Sequence, residues 1–253
     1  LLTGILGMAA AFSSWRIEKR VREYFMWLLL LETAVLGVFV SLDLLLFFIF
    51  FEFELIPMFM LIVIWGSGRP RYSAMKFVLF TLAGGAFMLV GILAIYVTPD
   101  VSTLAMVSIP ELGIIGIPEL IAGAKLVLPA ALIFGLFFIA FAVKLPLWPV
   151  HSWLPDAHTD APTAVSVMLA GVLLKMAGYG LLRINLGFFQ ETQGFTIHDV
   201  AGLMAMKAAI SVIYGGIVTV RQTDMKRLIA YSSVSHMGFV MLGLSAVGSS
   251  AVD

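Results

Sequence analysis

Ionisable side chains interrupt several long apolar runs of this 253-residue sequence: Glu52, Glu54, Lys144, Lys175, Lys207 and His236. The two glutamates lie in Phe51-Glu52-Phe53-Glu54-Leu55-Ile56-Pro57, Lys144 in Phe141-Ala142-Val143-Lys144-Leu145-Pro146, and Lys175 in Gly171-Val172-Leu173-Leu174-Lys175. A charge at mid-membrane depth costs about 2.5–3.5 kcal/mol on insertion scales, so by default it marks a pathway or a pair. A carboxylate and an ammonium ~6 Å apart, at an effective dielectric of about 20, attract by roughly 3 kcal/mol, which is about two pK units. Moving one group a few ångströms therefore switches a lysine between holding and releasing a proton. A fixed pair would be only a buried salt bridge.

Each basic residue taken alone also has a structural reading, as the lasting partner of a carboxylate or, for His236, as a packing residue. Snorkelling accounts for Lys76 and Lys125 near span ends but not for Lys144 or Lys175. Four basic groups at mid-depth on four consecutive spans favour a relay over packing. Glu52 and Glu54 are about 200° apart around a helix, so they face different ways and cannot both serve one lysine.

A relay also needs polar space inside the membrane. Pro146 and Pro149 follow Lys144, and neither can donate to the carbonyls of Ala142 and Leu145. Pro57 likewise frees the carbonyl of Phe53. Broken helices beside ionisable groups are a transporter signature, although a proline can also give a plain kink. His151, Asp156, His158 and Asp160 have the types of metal ligands, but Pro149, Pro155 and Pro162 make their segment a stiff connecting loop, with Asp160 as a helix-start signal. No metal site is expected there. Gly84-Gly85 and Gly178-Tyr179-Gly180 suit close helix contacts, and no nucleotide- or cofactor-binding loop is present.

These residues need long helices to position them. The sequence is 61% hydrophobic and 12% charged, with Lys plus Arg equal to Asp plus Glu at 15 each. Its apolar runs are long enough to cross ~30 Å of hydrocarbon, which takes about 20 residues. The fold class is therefore all-α, a polytopic transmembrane helix bundle forming a single domain over 1–253. About eight helices are expected, near 1–14, 24–40, 42–65, 74–97, 124–153, 162–184, 199–220 and 227–249. The only plausible turn inside 24–65 is Ser41-Leu42-Asp43. The balanced charge points to no nucleic acid, and the absence of cysteine excludes thiol chemistry and cysteine-ligated clusters in this chain.

Basic residues collect in alternate loops. Arg16, Lys19, Arg20 and Arg22 stand in the first, Arg69 and Arg71 in the third, and Arg221, Lys226 and Arg227 in the seventh. Asp43, Asp100, Glu111 and Glu119 stand in the second and fourth. The basic loops are expected on the cytoplasmic side or its equivalent, together with the fifth loop, His151 to Asp160.

Three blocks carry a resemblance: FFEFELIPMFMLIVIWG at 50–66, KLPLWPVHSWLPDAHTDAPTAVSVMLAGVLLKMAGYGLLR at 144–183, and QTDMKRLIAYSSVSHMGFV at 222–240. They resemble the antiporter-like membrane subunits of respiratory complex I, most of all the branch that holds subunit M, mitochondrial subunit 4 and their counterpart in the photosynthetic complex. The resemblance implies an antiporter-like fold of roughly fourteen helices, of which this chain would be a fragment covering the third to the tenth. It implies that Glu52 pairs with Lys144 of the broken helix, that Lys175 is the connecting lysine, and that His236 is a further link. Glu54 is then left to contact a neighbouring subunit or to pair elsewhere. Lys207 has no counterpart and is either a relay group or a partner for Glu54.

The activity implied is proton translocation coupled to oxidation of NADH or ferredoxin and reduction of quinone in other subunits, which would hold FMN and iron–sulfur clusters. The implied partners are neighbouring membrane subunits and lipid. The implied location is a bacterial plasma membrane, with thylakoid and mitochondrial inner membranes as alternatives. Two other readings are a subunit of a multi-subunit sodium/proton antiporter and a passive scaffold whose buried charges are structural.

Overall fold

The computed structural model describes residues 1–99, 101–189, 192 and 195–250, so Asp100 of the acidic loop lies outside the described residues. Helices account for nearly all of the apolar sequence: α1 (Leu2–Ser13), α2 (Val21–Val40), α3 (Leu44–Phe53), α4 (Leu55–Trp65), α5 (Pro70–Tyr96), α6 (Ile117–Gly123), α7 (Ala130–Lys144), α8 (Trp153–Asp160), α9 (Thr163–Leu186), α10 (Ile197–Val220) and α11 (Met225–Ser250). Among the described residues, six segments are long and apolar enough to cross a membrane, with α3 and α4 together making one of them, and α1 and α7 are shorter apolar helices. Leu82, Ile217 and other large apolar residues point outward, which suits lipid or protein surroundings rather than water.

The break between α2 and α3 falls at Ser41–Asp43, as the length argument requires. The Asp43 carboxylate accepts the amide hydrogens of Leu45 and Leu46, which α3 leaves without helical partners. On the same side, the loop after α5 is pinned to this turn by Leu44 N–H to the Leu104 carbonyl and Met106 N–H to the Leu42 carbonyl, each at 2.8 Å. The acidic second and fourth loops therefore lie together.

The basic loops meet at the other side. Trp65 Nε1 donates to the Lys19 carbonyl, and Lys19 Nζ to that of Ile64. Asp160 accepts from the amide of Arg69 and the hydroxyl of Ser73, while Ser67 N–H donates to its carbonyl. Lys226 Nζ donates to the carbonyls of Thr159 and Ala161. The segment 151–160 thus ends on the basic side, but it is not a stiff loop. Residues 153–160 form α8, the second half of the broken span, and Asp160 closes that helix and caps the start of α5 instead of starting α9. The reversal takes only Ala161 and Pro162, with Pro162 directly ahead of α9.

α5 is the central strut, packing on α3 and α4 to one side and on α7 and α8 to the other. Gly84 permits the α5–α7 approach, since a Cβ there would stand 3.3 Å from the Ala140 carbonyl oxygen and from Val143 Cβ. α10 and α11 form an antiparallel pair, and α1 lies on α9. Two π-helical stretches, Leu169–Leu173 and Leu181–Leu186, interrupt α9.

Candidate functional site

Two helix breaks face one another at the centre of the bundle. One is Glu54, between α3 and α4, three residues before Pro57. The other is the stretch 145–152 between α7 and α8. Lys144, the last residue of α7, is 2% exposed, and its Nζ donates to Glu54 Oε1, whose residue is fully buried. The ammonium also lies 4.6 Å from the Phe51 ring centroid and 5.9 Å from that of Phe77. It is held by one carboxylate and two aromatic faces.

This corrects the expected pairing: the lysine's partner is Glu54, not Glu52. The reason is rotational. A Cβ added at Gly85 would collide with the Glu52 carboxylate, so that side chain fills the space the glycine leaves on α5. Two residues on, Glu54 points to the other side of the helix, where α7 lies. Both Glu52 oxygens are buried without a hydrogen-bond partner, and the residue borders a cavity of about 410 Å³ with Leu55, Phe59, Met75 and Leu82. Lys144 remains within electrostatic reach of both carboxylates. Glu54 Oε2 also lacks a partner.

The peptide bond before Pro149 is cis. Part of the freed backbone of the broken span is satisfied from within the protein. Leu147 N–H donates to the Ala142 carbonyl that Pro146 cannot serve, at 3.0 Å, and Trp153 Nε1 donates to the Val143 carbonyl at 2.8 Å. Ser211 of α10 accepts the Trp148 amide at 2.9 Å. With these bonds the break is a built turn rather than a kink.

Other expected residues are not brought to this pair. Lys175 lies on the exposed side of α9 and donates to the Ala170 carbonyl within the first π-helical stretch. His236 is exposed on α11. Lys207 is half-buried, with Nζ 5.6 Å from the Trp148 ring centroid, so it does not pair with Glu54. Sequence reasoning missed a second ion pair, Lys76–Asp156 at 2.7 Å, which ties α5 to α8. Lys76 is therefore paired rather than snorkelling, a contact signalled only by the opposite charges of two distant segments. Nearby, His151 is buried between Tyr214, at 4.9 Å, and Tyr231, at 6.3 Å between ring centroids. No group of three or more His, Asp or Glu that could hold a metal occurs among the described residues.

A bundle of long apolar helices holding a buried carboxylate–ammonium pair at two facing helix breaks defines a polytopic helical membrane protein. The chain belongs to the family described as NADH:quinone oxidoreductase/Mrp antiporter membrane proteins, whose profile matches residues 41–253. It is 45% identical to NADH-quinone oxidoreductase subunit M of Rhodobacter capsulatus, over all of this chain and 49% of that protein. It is 43% identical to NAD(P)H-quinone oxidoreductase chain 4-2 of a Synechocystis strain, over 97% of this chain and 41% of that one. A chain of respiratory complex I from Thermus thermophilus superposes with a TM-score of 0.78 at 31% identity, covering 97% of this chain and 48% of the other. This chain thus spans about half the length of the proteins it matches.

Proposed function

We propose that this chain is part of the proton-translocating membrane arm of an NADH–quinone oxidoreductase of the complex I type. The observation that carries the reading is the buried Lys144–Glu54 pair at the meeting of two broken spans. Lys144 holds a proton while Glu54 is close and releases it when the two breaks move apart. Glu52, within electrostatic reach and without a partner of its own, is the second carboxylate that biases this exchange. Lys175 and His236 continue the path on the faces of α9 and α11.

The chemistry driving that movement belongs to other subunits, where NADH or ferredoxin is oxidised and quinone reduced on FMN and iron–sulfur clusters. The partners are the neighbouring membrane subunits and lipid, and the location is a bacterial plasma membrane. The similarity to quinone oxidoreductase subunits of Rhodobacter capsulatus and of a Synechocystis strain supports the assignment to such a complex.

The test is proton uptake by proteoliposomes carrying the assembled complex during quinone reduction. With Lys144→Ala or Glu54→Gln, pumping should fall at least about tenfold, since general acid–base groups typically contribute that much or more. Normal pumping by both assembled variants would refute the relay.

A further inference from the structure

Lys207 is a mid-span cation that the proton path does not absorb, and its surroundings are specific. Ser211 stands one turn further along α10, so the two side chains share a face. Both meet Trp148, which lies in the non-helical stretch four residues beyond Lys144. Ser211, fully buried, accepts the Trp148 amide at 2.9 Å. Lys207 Nζ stands over the Trp148 ring, 5.6 Å from its centroid. Among the described residues Lys207 has no carboxylate partner, so the indole face is its counterpart.

The same place holds room for movement. A cavity of about 190 Å³ opens beside the break, bordered by Phe138, Val143, Leu147, Trp148, Pro149 and Lys207. Neither end of the broken span competes for the role of hinge. The far end of α8 is tied down by Asp160 to α5 and by Lys226 from α11. α7 is held against α5 by the close approach at Gly84. The unpinned part of the broken span is therefore residues 145–150, directly after Lys144, and α10 grips that stretch at Trp148.

We propose that Lys207 and Ser211 form a latch on the broken span, positioning Trp148 and through it the Lys144 side chain. Ser211 fixes the backbone of the break, and Lys207 fixes the indole ring that borders the cavity. Lys207 is a positioning residue and not a further link in the relay. The consequence for translocation rests on the reading of Lys144 as the switching group, whereas the latch itself does not.

Amide hydrogen exchange of the peptide covering 145–150, measured in the intact assembled complex, tests the latch without reference to pumping. Lys207→Met should raise its exchange about fivefold, the scale expected when a partly solvated cation–π contact is lost from a locally opening segment. Lys207→Arg, which keeps the cation and its preference for aromatic faces, should leave exchange near wild type. In a Trp148→Leu background, Lys207→Met should add nothing further, because its effect passes through the ring.

Exchange within about twofold of wild type in Lys207→Met would overturn the proposal, on the same contact scale. So would an equal increase in the Trp148→Leu background. Should the Lys207→Met complex not assemble, Ser211→Ala carries the test, with raised exchange confined to 145–150 expected and unchanged exchange refuting the latch. Pumping that survives Lys144→Ala alongside the expected exchange pattern would sink the relay and leave the latch standing.

Discussion

Glu54 and Glu52 have nearly the same sequence surroundings and opposite physical situations. Glu54 is fully buried against a cation, and Glu52 is packed on Gly85 with both oxygens unpartnered. Removing one member of a buried ion pair typically costs about 3–5 kcal/mol, because the other charge is left uncompensated. Glu54→Gln should therefore lower the stability of the complex by about that amount. Glu52→Gln should change it by less than about 1 kcal/mol or raise it, since it relieves an unmet desolvation cost. Thermal unfolding of the two purified complexes checks this, and equal destabilisation would show that the carboxylates share Lys144. Combining Glu54→Gln with Lys144→Met should recover most of the lost stability without restoring pumping.

The elements decide which carboxylate can do what, and small residues set their spacing. Gly85 is the clearest case: any Cβ there enters the Glu52 carboxylate. Gly85→Ala should push α3 away from α5, at a cost of about 1–3 kcal/mol from overpacking. Pumping should fall as the Glu54–Lys144 geometry loosens, and a melting curve together with a pumping assay reads both. At the far end of the broken span, Asp160→Ala removes the cap on the first turn of α5. That should lower stability by about 1 kcal/mol and raise amide exchange over 67–73, while the exchange of α10 stays unchanged. Spread of the effect into α10 would mean that α8 is not the local clamp its hydrogen bonds describe.

Two opposed sets of loops organise the whole molecule. Basic residues and the ends of α4, α8 and α10 share one side, while Asp43 and the segment after α5 share the other. The chain has no cysteine, so single cysteines report sidedness cleanly. Ser67→Cys and Thr223→Cys should react with a membrane-impermeant maleimide only from the cytoplasmic side, and Ser102→Cys only from the opposite side. Labelling of Ser67→Cys and Ser102→Cys from one side would break the topology.

Sequence by itself determined the helical class, the turn at Ser41–Asp43, the breaks at Pro57 and Pro146, and which residues are too polar for their depth. These follow from local rules: the length needed to cross hydrocarbon, the missing amide of proline, and the cost of a charge away from water. Only the tertiary structure decided that Glu54 meets Lys144, that Lys76 meets Asp156, and that 153–160 is helix rather than connecting loop. The two pairings depend on which face a helix turns to a neighbour some 80 to 90 residues away, as the separations of the two ion pairs show. Two glutamates two residues apart look alike to any local rule. A glycine on another helix, at position 85, is what separates them.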